Sequence, residues 1–136
     1  MLFDFDGLNW WAILVATIAG FMLGGIWYGP LFGKAWLRAI GKREEDLGNP
    51  VIPFTLSFFT AFVTALLMAL LINSLDGLKT VLDGALLGLY IGIGFIAAAM
   101  ASDYAFCRWP KQLFVIQAGY RVAYSVIMGA ILAGWR

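Results

Sequence analysis

The sequence predicts an all-α integral membrane protein, a bundle of four transmembrane helices with a short interfacial amphipathic helix between helices one and two. Three observations predict this fold. The chain contains four long apolar stretches, only 12% of its 136 residues are charged, and its six tryptophans lie where the apolar stretches end. About 20 apolar residues, rising about 1.5 Å each, match a hydrocarbon layer about 30 Å thick. We therefore expect lipid to surround most of the protein.

The four spans use nearly the whole chain, which we interpret as a single membrane domain over residues 1–136. We expect spans at about 9–29, 51–75, 82–106 and 111–135, and the interfacial helix at about 31–42. The stretches Trp10–Gly29, Val51–Leu75 and Gly84–Ser102 carry no charge, and Gln112–Trp135 carries only Arg121. The N-terminal apolar run is longer than the core of a secretory signal, so we expect an uncleaved first span.

The charged and aromatic residues predict the orientation of the spans. The loops after the first and third spans hold six basic residues: Lys34, Arg38, Lys42, Arg43, Arg108 and Lys111. The opposite side has only Lys79 and Arg136. Because basic residues in short loops stay in the cytoplasm, we expect both termini on the non-cytoplasmic side. The tryptophans fit headgroup level at the two faces: Trp10, Trp11 and Trp135 outside, Trp27, Trp36 and Trp109 inside.

The first basic loop has the pattern of a helix that lies in the membrane surface. Gly29-Pro30 is expected to end or kink the first span. Apolar residues then recur at helical spacing while basic residues occupy another face: Phe32, Ala35, Trp36, Ala39 and Ile40 against Lys34, Arg38 and Lys42. This arrangement is typical of an interfacial helix with its basic face toward anionic headgroups. The alternative is a docking site for a cytoplasmic partner.

Small residues at intervals of four predict close helix packing. The first span carries Ala16, Gly20 and Gly24, and the third carries Gly84, Gly88 and Gly92. In lipid, helices associate through close backbone contact and polar bonds rather than apolar burial. The stripes serve packing inside one chain or contact between copies. We expect the lipid bilayer and further copies, or a larger membrane complex, as partners.

Arg121 is the centre of the candidate intramembrane polar site. Gln117 and Tyr124 share its helical face. A charge at mid-bilayer costs about 2.5–3.5 kcal/mol and needs a partner. Asp103 is the expected partner. Helical side chains lean toward the N-terminus of their own helix, and the third and fourth spans are antiparallel, so the two side chains lean toward each other and their charged groups come closer in membrane depth. We favour a structural ion pair that locks the hairpin; the alternative is a binding or conduction site, in which Arg121 holds an anion or Asp103 cycles a proton.

Several classes of function are disfavoured by composition. Histidine is absent and Cys107 is the only cysteine, so we expect no metal, no cofactor and no internal disulfide. The net charge of +1 does not suggest nucleic-acid binding. No phosphate-binding loop, nucleophile–base pair or paired catalytic carboxylates are present, and we expect no catalytic residues and no enzyme.

One run of residues resembles a known family. Trp27-Tyr28-Gly29-Pro30-Leu31-Phe32-Gly33-Lys34-Ala35-Trp36, together with Asn9-Trp10 and the stretch from Ala16 to Gly25, is similar to the bacterial membrane family catalogued as domain of unknown function 1761. The resemblance implies a small four-span protein of a bacterial inner membrane, and it brings no catalytic residues. It draws attention to a cytoplasmic interface motif, although a bend plus an interfacial anchor explains the same residues: Trp27, Tyr28, Pro30, Phe32, Lys34 and Trp36.

Two functions follow as hypotheses. The first is a non-catalytic inner-membrane component that self-associates or is an accessory subunit of a membrane complex. The second is an oligomeric small-solute or ion transporter or channel that uses Arg121, Gln117 and Asp103.

The orientation is testable with reporter fusions. A phosphatase that is active only outside the cytoplasm should be active when fused after Arg136 and inactive when fused after Lys42. A fluorescent protein that folds only in the cytoplasm should give the reverse pattern. A fluorescent C-terminal fusion would contradict the orientation.

Overall fold

The computed structural model describes residues 4–135, and its regular elements there are all helical. The elements are α1 (Trp10–Ile26) with a π-helical continuation (Trp27–Leu31), α2 (Gly33–Ile40), a 3-10 turn (Glu44–Leu47), α3 (Val51–Ser74), α4 (Val81–Tyr90), a π-helical segment (Ile91–Ala97), α5 (Ala98–Cys107) and α6 (Lys111–Gly134). The predicted all-α class is confirmed. Met1–Phe3 and Arg136, the chain ends whose side of the membrane was predicted, lie outside the described residues.

Four of the continuous helices are long and apolar enough to cross a membrane. These first to fourth spans cover Trp10–Leu31, Val51–Ser74, Val81–Cys107 and Lys111–Gly134. We call the end that carries the loops between the first and second and between the third and fourth spans the basic end. The amphipathic α2 lies there and is shorter than expected. It ends where Gly41 takes a left-handed φ of 71°, a conformation that glycine tolerates without a steric penalty.

Pro30 does not end the first span, which continues to Leu31, and the alternative expectation of a kink at Gly29-Pro30 stays a prediction. The helix widens into a π-helical turn instead, and the amide of Phe32 donates to the carbonyl of Trp27 at 2.8 Å. Proline has no N–H and its ring crowds the preceding turn. The wider turn accommodates that ring, and the chain leaves the helical path only at Phe32.

The fourth span is the central helix of the bundle. It packs against the first, second and third spans, whereas the third span meets the rest of the bundle mainly through the fourth. The core between the first, second and fourth spans is built from side chains such as Ile13, Ala65, Ile72 and Met128, each at most 1% exposed. The third span is therefore joined to the bundle mainly through α6, while the first and second spans also pack directly against each other.

The glycines of the third span are covered by α6 within the same chain. A Cβ added to Gly84 would overlap the carbonyl of Gly129, and one added to Gly88 would overlap the carbonyl of Ser125. A Cβ on Gly92 would lie 2.8 Å from the Cα of Val122. These are backbone-to-backbone contacts, which only residues without a side chain permit.

The first-span stripe also faces the fourth span. A Cβ on Gly20 would lie 2.7 Å from the Met128 methyl carbon, and a Cβ on Gly24 would lie 2.9 Å from the Tyr120 hydroxyl. Both stripes thus pack inside one chain, so neither of them is a free surface for a second copy.

The third span contains a π-helical segment that the sequence pattern did not predict. Ile91–Ala97 separates α4 from α5 and includes Gly92 and Gly94, which have low helix propensity. A π-helical turn holds more residues than an α-helical turn. Over seven residues the excess shifts the helical phase, and α5 presents a different face from the one that a continuous α-helix would present.

Substitution of the third-span glycines tests this packing. Gly88→Ala should lower the unfolding free energy by about 1–3 kcal/mol, because α4 and α6 must separate to admit a methyl group. Gly94→Ala is the matched control, since nothing lies within 4 Å of a Cβ at that position. Denaturant unfolding in mixed micelles, followed by circular dichroism, measures both. Equal losses would contradict the described contact.

Candidate functional site

Arg121 lies deep in the fourth span with its charge against aromatic rings. It is ten residues past Lys111, about 15 Å along the helix, and it is half-buried. Its guanidinium carbon lies 5.0 Å from the ring centre of Tyr120 and 5.3 Å from that of Tyr124. Cation–π contacts of this kind contribute about 0.5–2 kcal/mol, depending on desolvation.

The expected ion pair between Arg121 and Asp103 does not form. Asp103 is exposed, and the two charged groups are not within 4.0 Å of each other. The reason is the π-helical segment Ile91–Ala97, because the phase shift turns Tyr104, rather than Asp103, toward α6. The prediction that this pair locks the hairpin is therefore wrong.

Tyr104 occupies the place expected for Asp103. Its side chain is buried, and its hydroxyl donates to the side-chain oxygen of Gln117. Its ring packs edge-on against Trp109 at 4.9 Å and Phe114 at 5.5 Å. A neutral hydrogen bond with aromatic packing thus joins the third and fourth spans. The pattern of a regular helix could not identify Tyr104, because its orientation depends on the π-helical segment.

The tyrosines beside Arg121 hold the fourth span against its neighbours. The Tyr120 hydroxyl donates to the carbonyl of Gly20 at 2.8 Å in a buried position. Tyr124 is 2% exposed, and its side chain contacts Thr64 of the second span as well as Arg121. Tyr120 and Tyr124 therefore connect three spans at the level of the guanidinium.

Residues of the candidate cytoplasmic interface motif pack against the fourth span beside Arg121. The indole N–H of Trp27 donates to the carbonyl of Ile116 at 2.8 Å, and the Trp27 ring lies 4.8 Å from that of Phe32. Tyr28 packs against Tyr120 at 5.5 Å and against Trp36 at 5.4 Å. Two candidate sites that were inferred separately are thus one cluster. We call Tyr28, Trp36, Tyr120, Arg121 and Tyr124 the Arg121 cluster.

The remaining residues of the interface motif form no hydrogen bond, ion pair or ring contact with the groups of this site within residues 4–135. Pro30 and Lys34 are exposed, Pro30 in the π-helical turn and Lys34 on α2. Gly33, which sequence reasoning did not select, is buried, and a Cβ there would lie 2.6 Å from the carbonyl oxygen of Tyr28. Gly33 is therefore the position where α2 begins close against the first span. A glycine inside a helix-forming run was the available signal.

The cluster contains an unsatisfied donor. The indole nitrogen of Trp36 is buried and has no hydrogen-bond partner within residues 4–135. In the same part of the chain, no group of three or more acidic, cysteine or histidine side chains is placed to hold a metal ion. The arrangement around Arg121 offers hydrogen-bond donors and positive charge rather than metal ligands.

The fold and the cluster define a class: a small multi-pass membrane protein whose fourth span carries an arginine among aromatic side chains. Within that class, the family model described as "Protein of unknown function (DUF1761)" matches residues 11–133, and the chain belongs to this family. The resemblance noted in the sequence is confirmed. No curated protein and no solved structure matches the chain.

Double-mutant cycles distinguish the observed contact from the expected one. Tyr104→Phe and Gln117→Leu should each destabilise the protein, and the pair should show a coupling of about 0.6–1.7 kcal/mol. Asp103→Leu and Arg121→Leu should be additive within about 0.5 kcal/mol in dilute detergent. Unfolding by denaturant measures both cycles. A larger coupling for Asp103 with Arg121 than for Tyr104 with Gln117 would contradict the described geometry.

Proposed function

We propose that the protein is a non-catalytic membrane component that self-associates through the basic-end halves of its second and third spans. One observation carries the proposal: most residues of these halves are exposed in the single chain. Their packing within the chain is limited to a few contacts, such as Tyr104 against α6 and the phenylalanines of the second span against Phe21. All residues from Val51 to Thr60 are exposed. In the third span only 17% of the most apolar window is buried, the lowest share of the four spans.

A helix face that meets only lipid tails would be purely apolar. The exposed residues of these two halves are not. Thr55, Ser57 and Thr60 are exposed on the second span, and Ser102 and Asp103 are exposed on the third. Thr60 donates to the carbonyl of Ser57, which satisfies one hydroxyl locally. The Asp103 carboxylate has no hydrogen-bond partner within residues 4–135. Lipid tails offer no donor to a carboxylate, so this group needs one from elsewhere.

A second copy of the chain supplies what the surface lacks. The Thr55 and Ser57 hydroxyls are donors, and the Asp103 carboxylate is an acceptor. Large apolar side chains on the same two halves are exposed as well: Phe59 is 61% exposed and Phe106 is 88% exposed. Because donor and acceptor lie on the same chain, contact between two copies satisfies both without a different protein.

Subunit counting after reconstitution tests the self-association. Wild-type protein diluted in vesicles should remain a dimer or larger, by single-molecule photobleaching. Asp103→Leu should lower the association constant about 3- to 30-fold, the effect of losing about 0.6–2 kcal/mol of interhelical hydrogen bonding. Leu86→Ala, which truncates an exposed side chain outside this surface, should have no effect.

A monomeric wild-type protein at every dilution would contradict the proposal. Monomers that enter a larger assembly only with a different membrane protein would instead support the accessory-subunit form of this function.

The rival function is an oligomeric small-solute or ion transporter. The observation that favours it is the guanidinium of Arg121, which has no carboxylate within 4.0 Å in residues 4–135. Water access distinguishes the two. Cysteines placed at positions 117, 121 and 124, after replacement of the exposed Cys107 by serine, should resist an aqueous maleimide if the protein only self-associates. Rapid labelling at all three would favour transport.

A further inference from the structure

We propose that the Arg121 cluster binds an oxyanion, specifically a phosphate group, where α2 packs against the fourth span. The inference is separate from self-association, because one chain contains every group that it uses. Its basis is the presence in one aromatic cluster of a cation without an anion and a buried donor without an acceptor.

The first group is the guanidinium of Arg121. It is always protonated, it offers five N–H donors, and it accepts nothing. The rings of Tyr120 and Tyr124 attract its charge but do not neutralise it. A charge at this depth in a spanning helix is stable only when it meets an opposite charge, a polar group or water. The Tyr124 side chain supplies a polar contact, but no carboxylate lies within 4.0 Å of the guanidinium to supply an opposite charge within residues 4–135.

The second group is the indole of Trp36. Its nitrogen is a donor only, and it is buried without a partner in the described part of the chain. Buried polar groups are nearly always satisfied in folded proteins, so an orphan donor indicates a missing acceptor. Trp36 lies on α2, outside the spans, and it approaches the cluster from the basic end.

A continuous set of ring contacts joins these two donors. Trp36 packs against Tyr28 at 5.4 Å, and Tyr28 packs against Tyr120 at 5.5 Å. Guanidinium, indole and phenol groups are all donors to phosphate oxygen, and arginine matches the fork of two such oxygens.

The basic end is the side from which a phosphate would arrive. An α-helical side chain leans toward the helix N-terminus, so we expect Arg121 to extend along α6 toward that end. The exposed face of α2 carries Lys34, which raises the local concentration of anions. The phosphate belongs either to an anionic lipid headgroup or to a free ion, and the recognition chemistry is the same.

Thermal unfolding of the purified full-length protein measures the binding, because a ligand that binds only the folded state raises the midpoint with its concentration. One arm titrates inorganic phosphate into non-ionic micelles. The other adds phosphatidylglycerol to the same micelles, with phosphatidylcholine as the zwitterionic comparison. Stabilisation by phosphate identifies a free ion, and stabilisation by phosphatidylglycerol alone identifies a headgroup.

Three variants identify the site. Arg121→Gln should abolish the stabilisation, and Trp36→Phe should weaken the apparent affinity about tenfold, the effect of one lost hydrogen bond to a charged group. Arg38→Gln removes an exposed positive charge from α2 outside the cluster, and it should change the affinity less than about twofold. If Arg121→Gln loses its helical circular dichroism, Arg121→Lys replaces it, with charge retained and an affinity loss of about tenfold expected.

Three results would overturn the proposal. The first is the absence of stabilisation by either ligand in the wild-type protein. The second is an equal effect of Arg38→Gln and Arg121→Gln, which would indicate general surface attraction. The third is an unchanged affinity in Trp36→Phe, as expected if the indole N–H points at the Tyr28 ring. Subunit counting in the same samples measures self-association separately, so the failure of one proposal is distinguishable from the failure of the other.

Discussion

The backbone contact between α4 and α6 is the constraint on which the rest of the structure depends. Gly84 and Gly88 allow the third span to lie directly on the carbonyls of Gly129 and Ser125. In lipid, where apolar burial does not hold helices together, such contact replaces the hydrophobic core of a soluble bundle. It holds one side of α6, and the first and second spans cover another, so the fourth span becomes central. Its polar residues then face protein rather than lipid.

Two departures from the regular α-helix decide what surrounds Arg121. The π-helical turn at Trp27–Leu31 contains Pro30 and leads directly into α2. In this arrangement Trp36 of α2 packs against Tyr28. The π-helical segment at Ile91–Ala97 changes the phase of α5, so that Tyr104 takes the buried position and Asp103 faces outward. π-helical turns are rare and are enriched at functional sites. Here both of them shape the basic end of the bundle.

These departures leave two charged groups without the partner expected for them. Asp103 lies on the exposed basic-end half of the third span, and a second copy is the proposed source of donors. Arg121 lies among aromatic rings beside a buried indole N–H, and an oxyanion is the simplest source of acceptors. The two proposals, self-association and phosphate binding, therefore rest on one structural feature, a hairpin that is joined by Tyr104 and Gln117 instead of by an ion pair.

Sequence alone determined the features that depend on composition and on local pattern: the all-α class, the four apolar spans, the amphipathic α2, the family and the position of Arg121 deep in the fourth span. Each follows from the length, polarity or spacing of neighbouring residues. Tertiary structure decided which partners those residues meet. The surroundings of Asp103, Tyr104 and Pro30 depend on the two π-helical turns. Trp36 belongs to the same cluster as Arg121 because α2 folds back against α6. A regular helical pattern carries no information about a phase shift of about one residue, and residues 36 and 121 are too far apart in the chain for any local pattern to pair them.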